Sequence, residues 1–213
     1  MQAFIPVPGG YACELEPVEL RIIARLVADT AELLGTPLDA ADDDDDTDDA
    51  GLPARVDVTG AAADEAAVLA ALDWSPADET TPTDPALARL LPPASGDEAL
   101  AGEMRRLTEG ALRSGKADRL RTVWSALRAS SGLVVVRAGA EGEWLAALTD
   151  VRLVLASRLG IEDEDDAEAV YTRAGRPEPD ADELESALVS LYTALTWWQE
   201  SLLAAMSGPH GGV

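Results

Sequence analysis

The segment from Glu141 to Gly160 constrains the fold most. Trp144, Leu148, Val151 and Leu155 recur at helical spacing on one face, and Leu145, Leu153, Val154 and Leu159 fill other faces. A helix that is apolar nearly all round must be buried. The chain is therefore expected to build a bundle around 141–160. Asp150, Arg152 and Arg158 then become polar groups that need partners inside it. Asp150 and Arg152 stand two apart, so they point away from each other and cannot pair along the helix. Glu19, Asp84 or Asp97, arriving from other elements, are the expected carboxylates for the arginines.

The aromatic fraction is only 4%, so the core is built from Leu, Val and Ala, which suits helix on helix. A helix starts at Glu16, with Pro17 near its first position, and ends at Gly35 and Pro37. Asp84 is a good N-cap for a short helix with Pro85 at its start and Pro92 as its stop. Asp97 opens a helix carrying Leu100, Met104, Leu107 and Leu112. Ser114-Gly115 reads as a break, after which Leu120, Val123, Trp124 and Leu127 mark another helix from about Ala117. A short helix is expected over 167–172. The last starts near Asp180, and its stripe of Leu184, Leu188, Leu191, Leu195, Trp198 and Leu202 is heptad-like.

Two regions read as extended. Phe4, Ile5 and Val7, the Pro8-Gly9-Gly10 turn, and the alternation of Tyr11, Cys13 and Leu15 describe a hairpin. Leu133 to Arg137 is a β-branched run between Gly132 and Gly139. An isolated strand leaves its backbone unsatisfied, so the hairpin is its natural partner. The expected fold is mainly α, a helical bundle with a small antiparallel sheet over about 3–7, 11–15 and 133–137.

Residues 38–83 stand apart. Asp42 to Asp46 is an unbroken acidic run, followed by Asp48 and Asp49. Charges this dense repel one another and cannot bury a core, so this stretch reads as a largely disordered insert. A short helix over 64–74 is the exception. The expected single domain is 1–37 with 84–207, followed by a flexible tail over 208–213. The acidic stretch Glu162 to Asp166 is expected only to be solvated.

The formal charge of −24 repels phosphate backbones and anionic membrane surfaces, so no direct nucleic-acid or membrane binding is expected. Heavy use of Ala, Asp and Arg, with Lys116 the only lysine, fits an actinobacterial or a salt-adapted source. No apolar run is long enough to span a membrane. Met1 to Tyr11 does not read as a secretion signal, which makes a cytoplasmic location the expectation.

Candidate chemistry is sparse. His210, the only histidine, lies in a Gly-rich tail and cannot serve a Ser-His-Asp or Cys-His arrangement. No zinc ligand set, EF-hand loop or phosphate-binding glycine motif occurs, so neither a metal nor another cofactor is expected. The Asp42 to Asp49 run reads as a solvated loop. Cys13 is the only cysteine, which excludes an intramolecular disulfide. Alternation places it toward the core, and Glu14 and Glu16 beside it disfavour the thiolate, so an inert role outweighs a redox one. Trp197 is turned about 100° from Trp198. It could anchor a partner, although packing of both indoles in the core is the simpler expectation. The 184–202 stripe also suits a helix-mediated homodimer.

Three blocks together resemble a known family. They are Asp84-Pro85 with Arg89-Leu90 and Pro92; Trp144-Leu145, Leu148-Thr149-Asp150, Arg152-Leu153 and Arg158-Leu159-Gly160; and Leu195-Thr196 with Gln199-Glu200. The pattern, over about 84–206 plus the Leu15 to Leu34 helix, resembles the actinomycete oxidative stress regulators (AosR). These are encoded near the ClpS adaptor and a cysteine-biosynthesis cluster. The resemblance implies a cytoplasmic, non-enzymatic regulator that answers oxidants through a cysteine pair and raises expression of cysteine-biosynthesis genes. This chain lacks the second cysteine, so only an intermolecular disulfide or a small-thiol adduct at Cys13 remains as its redox chemistry. Contact with a sigma factor or RNA polymerase is one expectation. An adaptor role in ClpS/Clp-linked proteolysis is the alternative. A carboxylate-based enzyme finds no assembled site.

Overall fold

The computed structural model describes residues 1–38, 84–175 and 182–208. Two strands open the chain, β1 (Ile5–Val7) and β2 (Gly10–Glu14), followed by α1 (Pro17–Leu33). After the insert come α2 (Pro85–Leu90), α3 (Glu98–Arg128), β3 (Leu133–Arg137), α4 (Glu141–Arg158), α5 (Glu164–Ala174) and α6 (Glu183–Ser207). The acidic run, the 64–74 segment and His210 lie outside the described residues. Leu38, placed in the insert by sequence, is buried against the core.

The sheet is antiparallel, in the order β1-β2-β3. Ile5, Ala12 and Val135 lie side by side across it. Gly9 at φ +86° suits the turn after Pro8. Gly10 is fixed by space: a Cβ there would lie 2.0 Å from the Val136 carbonyl oxygen. Val134 and Val136 face the core, while Leu133 and Val135 face outward.

α4 is the central element, as its all-round apolarity requires. Trp144, Ala147, Leu148, Val151, Val154 and Leu155 are buried, and α1, α2, α3, α6 and β3 all pack on it. At one end of the core Trp144 meets Phe4 and Trp198, with centroids 6.5 and 6.2 Å away, and Phe4 stacks on Trp198 at 5.1 Å. Trp144 is thus a core anchor joining β1, α4 and α6.

Three expectations are corrected. Ser114-Gly115 does not break the chain, because α3 runs unbroken through it for 31 residues. A mid-helix glycine costs about 1 kcal/mol, and the packing of α3 on α1 and α4 outweighs that. Glu162 to Asp166 is more than a solvated stretch. Asp163 caps α5 by accepting the Asp166 N–H at 3.0 Å, and Asp166 accepts the Glu162 N–H at 2.9 Å. Carboxylates in a first turn complement the helix dipole, which explains their clustering. The α6 stripe faces inward: Leu188, Leu195, Trp198 and Leu202 are buried in this fold, so it cannot pair two copies.

Candidate interaction surface

The polar groups of α4 find partners on three different elements. Asp150 is 3% exposed and pairs with Lys116 of α3. Arg158 Nη2 donates to Asp84 Oδ2 at 2.7 Å, as the list of expected carboxylates allowed. Asp84 does a second job. Its Oδ1 accepts the Ala86 and Leu87 N–H groups at 2.7 and 3.3 Å, capping α2. Partial burial pushes the Asp84 carboxyl up, but the Arg158 hydrogen bond and the two amides outweigh it and leave the pKa below its ordinary 3.8. Arg89, in the last turn of α2, suits the helix C-terminus and enters no ion pair among the described residues.

Arg152 departs from expectation. Its partners are neutral. Nε donates to Thr196 Oγ1 at 2.9 Å and Nη1 to Gln199 Oε1 at 2.8 Å. Its guanidinium lies 5.6 Å from the Tyr192 ring centroid, where the ring face attracts a cation. Gln199 in turn donates to Thr149 Oγ1 and to the Leu145 carbonyl, at 2.8 and 3.1 Å. The network is nearly closed, and it holds α6 against α4 with directed bonds. Arg152 is half-buried, so solvent supplies part of the charge stabilisation that a buried arginine would need from a carboxylate.

Cys13 is 3% exposed, facing the core with Tyr11 and Leu15. Burial pushes its thiol up to about 11. The Trp198 indole opposes this shift by stabilising the thiolate, and Glu19 adds to it. Glu19, from α1, thus takes the part that sequence assigned to Glu14 and Glu16. At neutral pH Cys13 is a protonated core residue.

The outward groups form two apolar regions. On the sheet, Ile5, Leu133 and Val135 are 60%, 57% and 43% exposed. Trp197 is 45% exposed, which overturns the expectation that both indoles pack in the core. Ser201, one turn further along α6, accepts the Phe4 N–H at 3.2 Å, so Trp197 stands on the helix that β1 runs beside. The second region is the first half of α3, where Leu100, Met104, Leu107 and Leu112 are all exposed. They mark the helix by their spacing, and they have no partner element there among the described residues.

Trp197 was visible in the sequence as an alternative; the sheet patch was not. Strand alternation marks Leu133 and Val135 as facing away from Val134 and Val136, and that signal could have found it. Lys116 as the partner of Asp150 was also missed, since only the tertiary fold brings α3 beside α4.

Among the described residues no group of three or more His, Cys, Asp or Glu could hold a metal ion, and no helix is long and apolar enough to cross a membrane. Neither a curated protein nor a solved structure matches the chain. A family described as a domain of unknown function, DUF2017, matches residues 1–206, nearly the whole length that these elements occupy, and the chain belongs to that family.

Proposed function

We propose that the protein is a non-enzymatic, cytoplasmic regulator that works by binding other proteins. The observation that carries this reading is the outward face of the sheet. Ile5 and Val135 lie in one cross-strand row and Leu133 two residues along, all exposed. Exposed apolar side chains grouped in this way are what a partner covers. The charge of −24 favours a basic protein surface over nucleic acid. The resemblance to AosR supplies the role: control of oxidative-stress and cysteine-biosynthesis genes through a sigma factor or RNA polymerase.

The buried Cys13 thiol, held protonated with a pKa of about 11, supports a contact that does not wait on oxidation of this residue. The test is affinity capture from oxidised and unoxidised cells of the source organism. Wild type, Cys13→Ser, Leu133→Thr/Val135→Thr and Trp197→Ala are compared. A sigma factor or a polymerase subunit should be recovered by wild type and Cys13→Ser alike. The sheet double variant should lose it about tenfold or more, a cost of roughly 1.4 kcal/mol, and Trp197→Ala should weaken it less. Recovery of ClpS or a Clp ATPase alone would replace this reading with the proteolytic adaptor.

A further inference from the structure

The sheet has two edges, and the fold treats them differently. β1 closes one side. It is three residues long, and Pro6 at its centre has no N–H to present outward. α6 lies alongside, where Ser201 Oγ accepts the Phe4 N–H at 3.2 Å. A short strand, a proline and a covering helix are ways in which proteins protect an edge. β3 is the outer strand on the other side and has none of them. Leu133-Val134-Val135-Val136-Arg137 contains no Pro or Gly, and its register with β2 runs through the whole strand without a bulge.

The register also fixes where the β3 backbone points. The Leu15 N–H donates to the Gly132 carbonyl and the Ala138 N–H to the Gly9 carbonyl, both at 2.8 Å. Antiparallel pairs alternate, so Val134 and Val136 turn their N–H and C=O groups toward β2. Those of Leu133, Val135 and Arg137 point away from it. The Arg137 carbonyl is used in the next turn, accepting the Ala140 N–H at 3.0 Å. The N–H and C=O of Leu133 and Val135, and the N–H of Arg137, have no hydrogen-bond partner among the described residues.

We infer that β3 takes its partner by strand addition: an extended segment of the partner protein pairs antiparallel with this free edge and lengthens the sheet. The inference rests on the reading of the sheet as the binding surface. It follows from what the edge offers. A row of main-chain donors and acceptors at strand spacing is satisfied by another extended main chain. A helix uses those groups internally and has none to give along its length. The side chains then specify the segment. Leu133, Val135 and Arg137 stand outward beside the edge, and Arg137 enters no ion pair among the described residues. Residues directly opposite each other interact across a strand pair. The fitting segment carries an acidic residue opposite Arg137 and, at alternate positions, apolar residues opposite Val135 and Leu133. A second copy fits less well. In the register that uses the whole strand it sets Leu133 opposite Arg137, and each molecule carries −24.

The test uses the full chain and a phage-displayed library of short random peptides. Selection on wild type should enrich the acidic-x-apolar-x-apolar pattern, and synthetic copies should bind in fluorescence anisotropy. Val135→Pro removes one outward N–H and leaves the ladder to β2 intact, so it should weaken binding roughly tenfold or more. Val135→Thr keeps that N–H and should cost less. A second comparison leaves the protein unaltered and so does not depend on how well Val135→Pro folds. N-methylation of the peptide residue opposite Val135 should abolish binding, whereas N-methylation of the next residue, whose N–H points away from β3, should cost little. No enriched pattern, undiminished binding by Val135→Pro, or equal effects of the two N-methyl positions overturns the inference. So does self-association of wild type that Val135→Pro abolishes while no peptide is enriched, which would give the edge to a second copy. Capture from cells that yields neither a sigma factor nor a polymerase subunit sinks the function proposed above and leaves these peptide results standing. Capture that succeeds and is indifferent to Val135→Pro sinks strand addition alone.

Discussion

α3 is one continuous helix whose two halves differ in almost everything except composition. From Ala117 onward it buries Ala117, Leu120, Val123 and Leu127 against α1 and α4. Before that point Leu100, Met104, Leu107 and Leu112 are just as apolar and stay exposed. The division falls where α1 ends: Arg113 Nη1 reaches the Leu34 carbonyl at 3.4 Å, near the last turn of α1. Beyond it no described element lies alongside α3. Periodicity reports that a helix has an apolar face. It does not report whether the same chain covers that face.

The largest expected contrast tests this division directly. Leu120→Ala opens a cavity at a fully buried site and should cost about 2–5 kcal/mol. Leu107→Ala, the same chemical change on the exposed first half of α3 (the arm), should stay within about 0.5 kcal/mol. Urea denaturation of both variants reads the difference. Equal costs would mean that the arm is covered by the chain itself.

The junction between the halves supplies the next effect. Lys116 closes the arm and pairs with Asp150, which is buried on α4. Lys116→Met leaves the Asp150 carboxylate without its cation and should cost about 2–4 kcal/mol. Adding Asp150→Leu removes the stranded charge, and the double variant should recover most of that loss. If Lys116→Met alone costs nothing, the ion pair does not tie the halves of α3 to the core.

Much of the fold was legible in the sequence, for physical reasons that also mark where legibility stopped. α4 is apolar on every face, and only the centre of a bundle satisfies that. Leu133 to Arg137 could be placed because an unpaired strand is costly, and β2 was the available edge. Asp84 could be read as a cap because capping is local. Asp84 with Arg158 was within reach, since a buried arginine calls for a carboxylate. Arg152 misled because the same argument ignored partial exposure, the Tyr192 ring and a pair of neutral acceptors. Lys116 with Asp150 is a contact across 34 residues and has no local signature. The fate of Leu100 to Leu112 was illegible for the converse reason: the local signal was clear, and the missing element was tertiary.

The smallest effect concerns Gly115, where sequence placed a break and the structure runs straight through. Its φ is not in the left-handed region, and a Cβ would meet only the Arg119 Nη1 atom, at 3.8 Å. That is ordinary contact with the flexible end of a side chain. Gly115→Ala should therefore stabilise the protein by about 0.5–1 kcal/mol, partly by restricting the unfolded chain. The sign is the informative part. A continuous α3, with the arm held rigidly by its core half, gains from alanine. A hinge that needed glycine between the halves would lose. A raised melting temperature fits one rigid rod that starts outside the core and ends within it.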